Sequence, residues 1–344
     1  MRVPAVLLLA ALSLNAQTFI QRLSAPVSLE FGLQPAWQAN PLNLSALEMD
    51  RLAADSGYLG GIQTTDSRVI TGLAKWRYAP RLWEGRKTAF YSSLFYHLYL
   101  DIEERTYLSF TLSVRQSFGR WRFLEMGYGV LPSLYLRHYF YNLDPGIQPG
   151  RYACDFGTDR IWLEFEKRLT PKLWLGSRVT GRTERYSAPF SHYDMRKLEG
   201  LVSVDWRPRG DWRTGLEASY GHSANQNMAD DHDRSFHYLD VDGSLRIPLG
   251  KPFAALELDG AVEQRAYLSD DQLDELHSGR YHIEYRLESR LWLPEGERFS
   301  WYPYAGYRHR AVESDSDLVR DLKSFTRWWV GVRVSFTSII DIYL

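Results

Sequence analysis

Tyr281-His282-Ile283-Glu284-Tyr285-Arg286-Leu287-Glu288-Ser289-Arg290-Leu291, followed by Trp292-Leu293 and Pro294-Glu295-Gly296-Glu297, is the stretch that decides the fold of this chain. Tyr281, Ile283, Tyr285, Leu287 and Leu291 oppose His282, Glu284, Arg286, Glu288 and Arg290. Successive residues of a strand point to opposite faces, so as a strand this segment has one apolar and one charged face. Wound as a helix it would carry its charges onto the apolar stripe, so period two wins.

The alternation recurs along the chain. Val27, Leu29, Phe31, Leu33 and Pro35 oppose Ser28, Glu30, Gly32, Gln34 and Ala36, and Leu108, Phe110, Leu112 and Val114 oppose Tyr107, Ser109, Thr111, Ser113 and Arg115. Val241, Gly243, Leu245 and Ile247 oppose Asp240, Asp242, Ser244 and Arg246; Trp328, Val330, Val332, Val334 and Phe336 oppose Arg327, Trp329, Gly331, Arg333 and Ser335. The pattern predicts strands at 27–39, 67–79, 88–100, 105–117, 121–139, 158–168, 172–186, 195–207, 211–222, 235–248, 252–267, 280–293, 299–312 and 323–336, about fourteen in all. Twelve or sixteen fit as well, because 40–66 has room for a further strand or a helix and 121–139 is long for one strand.

Every second connection is short and rich in Gly and Pro: 79–85, 117–120, 169–172, 208–211, 249–252 and 294–297. The others, at 40–66, 140–157, 187–194, 223–234, 268–279 and 313–322, are longer and polar, and only 101–104 breaks the rule. Short turns on one side and long loops on the other are the pattern of a transmembrane antiparallel up-and-down β-barrel, an all-β fold. Both chain ends then fall on the short-turn side. Trp83, Trp121, Trp174, Trp206, Trp212, Trp292 and Trp301 lie near the short turns, where an amphipathic indole would sit at headgroup level.

Composition agrees. The 344 residues carry a net charge of −1, with 22 Tyr, 12 Trp and 16 Phe, and 24% charged residues. A soluble core accommodates so many aromatic and charged residues together poorly, whereas a barrel with an apolar outside and a polar inside separates them. Near-zero net charge provides no nucleic-acid footprint. Met1-Arg2, the apolar run Val3–Leu14 and a cleavage point after Ala16 read as a signal peptide over 1–16, with an uncleaved anchor as the alternative. The expected organisation is then a short periplasmic lead at 17–26, the barrel at 27–337, and 338–344 as a tail or the end of the last strand. No later stretch approaches the ~20 apolar residues of a membrane helix.

By pattern, residues 27–344 resemble Gram-negative outer-membrane β-barrels as a class. That resemblance implies an outer-membrane location, surrounding lipid and lipopolysaccharide, and the barrel-assembly machinery as the folding partner. Such barrels usually finish on an aromatic residue; here Phe336 fits, but the last residue is Leu344. After the opening strand, Asn40-Pro41-Leu42-Asn43-Leu44-Ser45 resembles the first hairpin of barrel domains in surface-lipoprotein assembly modifiers. No functional residue carries over from it.

Strand parity sends a mixed set of charges inward: Arg178, Arg182, Glu199, Asp205, Arg213, Glu217, Glu257, Asp259, Glu263, Glu284, Arg286, Glu288, Arg290 and Arg333. At the lipid-facing midplane an Arg or Lys would cost ~2–4 kcal/mol. The set can act as a wet channel that orients polar solutes or as a cross-strand ion-pair lattice that braces or occludes the barrel. Mixed signs argue against strong selectivity for one sign of ion.

Other chemistry is sparse. His222, Asp230, Asp231, His232 and Asp233 are metal-ligand types without the spacing of a known site, so a solvated acidic loop is expected, with no metal and no cofactor. Further acidic loops at Asp270, Asp271, Asp274 and Glu275 and at Asp315, Asp317 and Asp321 could hold cations that bridge lipopolysaccharide phosphates. His97, His138, His192 and His309 are candidates for a lipid hydrolase, but no nucleophile motif selects among them, so no catalytic residue is assigned. Cys154 is read as a spectator in the loop after Tyr141. The expected function is a non-enzymatic channel for small polar solutes; the alternatives are a barrel that assists export or assembly of surface components or anchors partners, and, third, a lipid-modifying enzyme.

Overall fold

Val27, the first residue of the first strand, stands opposite Ile340, the end of the last, so the sheet closes on itself and leaves no edge. The computed structural model describes residues 21–341 apart from 84–85, 120, 143–145, 209, 227–232, 272–273, 295 and 297. The expected signal peptide, the start of the lead and Leu344 lie outside the described residues.

The strands are β1 (Val27–Ala39), β2 (Asp66–Tyr78), β3 (Thr88–Tyr99), β4 (Tyr107–Ser117), β5 (Arg122–Tyr141), β6 (Gly150–Thr170) and β7 (Leu173–Tyr186). They continue as β8 (Met195–Trp206), β9 (Arg213–Asn225), β10 (Phe236–Pro248), β11 (Ala255–Tyr267), β12 (Tyr281–Trp292), β13 (Phe299–Glu313) and β14 (Phe325–Ile340). Each pairs antiparallel with its neighbours in sequence, and β1 with β14, giving a closed barrel of fourteen strands. Twelve and sixteen are thereby ruled out. Of the ambiguous C-terminal segment, 338–340 belongs to the last strand.

The outer face is apolar. Leu33, Leu163, Val179, Leu198, Val202, Leu216, Leu287 and Val330 all stand exposed on it. Trp212, just before β9, and Tyr220 within it, Phe299 and Tyr307 in β13, and Phe336 and Trp328 in β14 bracket the belt, each pair eight residues apart. At ~3.3 Å per residue and the usual tilt this is roughly 20 Å of height, close to the ~25 Å expected of a membrane-spanning barrel. Lipid is the solvent such a surface fits, and closure leaves no strand edge unpaired within it. No helix among the described residues is long and apolar enough to cross a membrane. Leu216→Arg, at the middle of this belt, should cost ~2–4 kcal/mol in urea unfolding of the barrel refolded into vesicles; an unchanged midpoint would remove this face from lipid.

Two expectations need correction. The strand placed at 158–168 begins at Gly150, so the connection placed at 140–157 shrinks to the residues between Tyr141 and Gly150, and Cys154 lies inside β6. Cys154 is fully buried in a cluster with Tyr141 and Phe190, against which Tyr139, Tyr152, Tyr186 and Tyr193 pack. The exposed positions of β6 here, Arg151 and Ala153, are not large and apolar as Leu163 and Phe165 are, so the outward-apolar signal that marks the other strands is missing. The second correction concerns tryptophan. Trp83, Trp206, Trp212 and Trp301 are exposed, but Trp174 and Trp292 line interior cavities instead of a headgroup belt. Their even parity in β7 and β12 matches that of Arg178 and Arg290 and turns them inward.

The loop at 40–66 is neither a strand nor loose. Asn40 and Asn43 adopt positive φ (51° and 57°), which asparagine tolerates. The Asn40 amide donates to the Leu44 and Thr326 carbonyls and its Oδ1 accepts from the Leu44 N–H. Ser45 and Glu48 form a capping box that starts helix α1 (Ala46–Ala54). Leu42, Leu44, Leu52, Leu59 and Ile62 bury themselves against Ile102 and Tyr135, and Glu48 pairs with Arg137 of β5. A second helix, α2 (Asp317–Lys323), touches α1 from the β13–β14 loop. The segment thus bridges the loop end of the barrel from the β1–β14 side to the β5–β6 hairpin as a lid with its own small core. The short link after β3 joins it through a 3-10 turn, Glu103–Arg105, whose Arg105 donates to the Tyr135 carbonyl.

Candidate functional site

Every second side chain of each strand enters the interior, and cross-strand register decides which charges meet there. Glu257 of β11 stands opposite Arg290 of β12, and Asp259 opposite Glu288. Arg290 gathers three carboxylates, Glu257 at 2.5 Å, Glu288 at 2.7 Å and Asp259 at 3.0 Å. Arg286 lies 2.7 Å from Asp240 and 3.7 Å from Asp242, and Arg178 lies 2.6 Å from Glu164. On the closing seam Glu30 takes both Lys75, at 3.2 Å, and Arg333, at 2.9 Å.

These groups surround water-sized space toward the short-turn end. A cavity of about 950 Å³ is lined by Asp205, Arg213, Glu217, Glu257, Asp259, Arg286, Glu288 and Arg290, and one of about 530 Å³ by Glu30, Lys75 and Arg333. Asp205 and Asp242 keep nearly half of their side-chain surface in solvent. Toward the loops the interior dries out: the Glu284 side chain is 2% exposed and that of Glu184 8%. Glu284 is held by Arg308 at 2.7 Å and Arg310 at 2.9 Å, and Glu184 by Arg182 and Lys197, each at 2.9 Å. Glu263 holds Arg265 at 2.5 Å, and Glu199 accepts from the Tyr238 hydroxyl at 2.7 Å. The interior is an open, charge-lined vestibule below and a buried, ion-paired region above.

Partners outside the predicted set complete these networks: Glu30, Lys75, Arg115, Glu164, Glu166, Asp240, Asp242, Arg246, Arg308 and Arg310. Parity alone could have found most of them, since Glu30, Arg115, Asp240, Asp242 and Arg246 sit on polar faces of segments with plain alternation. Inward aromatics were harder to see. Trp329 donates to Glu288 (3.2 Å) and Trp292 to Glu257 (2.9 Å), so each indole works as a hydrogen-bond donor among the carboxylates. The register makes room for two of the rings: Gly306 lies opposite Trp329 and Gly127 opposite Trp162, where an added Cβ would come within 2.1 Å and 2.0 Å of the indole.

The other candidates do not assemble. Asp230, Asp231 and His232 lie outside the described residues; His222 is on the outer wall against His237, and Asp233 accepts from the Ser235 N–H. No group of three metal-ligand side chains occurs among the described residues. His97 bonds Thr71, His138 bonds Tyr135, His309 bonds Thr326 and His192 packs on Tyr193, each engaged with a different neighbour. In the loop before β12, burial holds His277 at about 4; its Nδ1 lies 2.8 Å from Asp274 and, in the neutral ring, donates to it.

Taken together, these features define a closed membrane-spanning β-barrel with a charged interior. No protein-family model matches the chain, and no curated protein matches it in sequence. Among solved structures it is similar to OccAB3 of Acinetobacter baumannii (10% identity, TM-score 0.42, 92% of this chain and 99% of the other). It is also similar to the anion-selective porin of Comamonas acidovorans (10%, 0.41, 91% and 99%) and to a bacterial polysaccharide outer membrane secretin (9%, 0.41, 92% and 98%). Overlap at this level carries no argument about what crosses this barrel.

Proposed function

We propose that the chain is a channel of a Gram-negative outer membrane that passes small polar solutes and rests in a closed state. The observation that carries this reading is the open vestibule of about 950 Å³ lined by charges of both signs. A lattice serving only to brace the wall has no need of side chains half open to water. Opposed carboxylates and guanidiniums set a transverse field that orients a dipolar solute on its way through. The ion pairs and the lid at the loop end act as the gate.

In a planar bilayer the purified protein should show stable single-channel steps. Glu257→Ala combined with Glu288→Ala should then shift ion selectivity toward anions, because two carboxylates leave the vestibule while Arg290 stays. An unchanged reversal potential would mean that these side chains do not line the path. One observation favours a second reading: the dryness around Glu284 and Glu184 suits a non-conducting barrel that anchors partners by its loops. A silent bilayer from protein whose folding is shown by a heat-modifiable gel shift would replace the first reading with this one.

A further inference from the structure

Strands β9 and β10 set like charges face to face inside the vestibule. Arg213 stands directly opposite Arg246 and Glu217 directly opposite Asp242, with Gly215 opposite Ser244 between them. Directly opposed side chains lie ~4.5–5.5 Å apart at Cβ, where like charges are destabilising. All six residues line the cavity of about 950 Å³, and Arg213 and Glu217 are exposed in it. At ~3.3 Å per residue the two charged pairs stand about 13 Å apart along the strands. The small side chains of Gly215 and Ser244 leave the floor between them open.

The neighbouring strands do not cancel either pair. Glu257, opposite Arg246 on β11, lies 2.5 Å from Arg290 and 3.5 Å from Arg246, and Asp205, opposite Gly215 on β8, holds Arg207 at 3.0 Å. Among the described residues Arg213 has no carboxylate within ion-pair distance. The acidic pair is served in the same way. Arg286 lies 2.7 Å from Asp240 and 3.7 Å from Asp242, and Arg178 is committed to Glu164 at 2.6 Å. Glu217, between Ser203 of β8 and Asp242 of β10, has no cation within ion-pair distance among the described residues. The β9–β10 floor thus keeps one surplus positive charge toward the short turns and one surplus negative charge deeper in.

We propose that this floor binds a small zwitterion whose two charges stand several ångströms apart, a short peptide, with its carboxylate at Arg213 and Arg246 and its ammonium at Glu217 and Asp242. Such a ligand relieves both like-charge pairs at once, whereas a simple anion or cation meets its own sign at one of the two levels. An extended chain spans at most ~3.3–3.6 Å per residue, so two or three residues, met by the reach of the Arg and Glu side chains, bridge the floor. In a single α-amino acid both charges sit on one carbon and reach one pair only. The inference deepens the channel reading by naming the solute class, and rests on it.

The test is calorimetric titration of the full-length barrel in detergent with trialanine, N-acetyl-trialanine, trialanine amide and alanine, alongside its bilayer conductance. Trialanine should bind, and each of the other three at least tenfold more weakly. In Arg213→Gln the preference for trialanine over its amide should shrink several-fold while the preference over the N-acetyl form is kept; in Glu217→Gln the two should change places. Absence of trialanine binding, equal binding of the blocked peptides, or preferences that do not follow the variants in this way would overturn the site. The blocked peptides are compared on the unaltered protein, so the site stands or falls even where a variant does not refold. Titration and conductance fail separately: conductance without peptide binding removes the site and leaves the channel, while binding to a silent barrel removes the channel and leaves the site.

Discussion

Replacing Leu44 and Leu59 by aspartate should convert a barrel that is closed for most of a bilayer recording into one that conducts steadily. Both side chains are fully buried in the lid core, with Leu42, Leu52 and Ile62 around them and Ile102 and Tyr135 beneath. Burying one such leucine is worth ~1.5–3 kcal/mol, and a carboxylate in the same place has no partner to offset its desolvation. Several such side chains acting together make spontaneous lifting of the wild-type lid rare. In the double variant the lid comes off its seat while the wall stays intact, because the fourteen-strand ladder does not run through it. Open probability should rise several-fold with no loss of the heat-modifiable folded form. Leu318→Asp, on the exposed side of α2, serves as the control and should leave the recording unchanged. If Leu44→Asp with Leu59→Asp conducts no more than the wild type, the lid is not the gate.

Glu284→Ala should be among the most destabilising single changes in the wall, at about 3–5 kcal/mol, the range for removing one partner of a buried ion pair. Its carboxylate is 2% exposed and accepts from both Arg308 and Arg310, so its loss strands two guanidiniums in a dry part of the barrel. Urea unfolding of the barrel in vesicles measures this. The reason can be separated from simple loss of volume. Adding Arg308→Met to Glu284→Leu replaces an ion pair by apolar contact and should recover part of the loss, since such replacements are often neutral or stabilising. If the double variant is as unstable as the two single losses added together, unpaired charge is not the cause.

The two halves of the interior differ in what they ask of a sequence reader. In the vestibule, alternation in β11 and β12 is unbroken, so Glu257, Glu288 and Arg290 can be sent inward from spacing alone. Which acid meets which guanidinium cannot, because Glu257 and Arg290 are joined only by the register between two strands. At the seam the distance in sequence is greater still: Glu30 and Arg333 meet because the first and last strands pair. Pro35 interrupts that pairing, which passes from Leu33 opposite Val334 to Ala36 opposite Gly331, as expected where a strand residue has no N–H to donate.

The loop end resisted reading for a different reason. Tyr152 and Cys154 stand on the opposite parity of β6 from Leu163 and Phe165 and pack in a protein core, while Leu163 and Phe165 face outward; the exposed positions Arg151 and Ala153 carry no large apolar side chain that would mark the strand. Two register shifts in β5, between Leu131 and Leu134 and between Tyr135 and Arg137, each insert one residue, so Leu134 and Tyr135 change faces and the original parity returns at Arg137. A parity count begun in the membrane therefore misplaces Leu134 and Tyr135 and is right again at Arg137. In the same way Asn40-Pro41-Leu42-Asn43-Leu44-Ser45, noticed in the sequence as a hairpin resemblance, is in the fold the hinge and helix cap of the lid.

By itself the sequence determined the membrane-crossing strands and their apolar outer face, because lipid imposes a period of two on every residue that crosses it. Only the tertiary structure decided how many strands close the ring, which charges pair, and that 40–66 folds into a lid. Those outcomes depend on register and on contacts between segments far apart in the chain, where no local periodicity records who the neighbour will be.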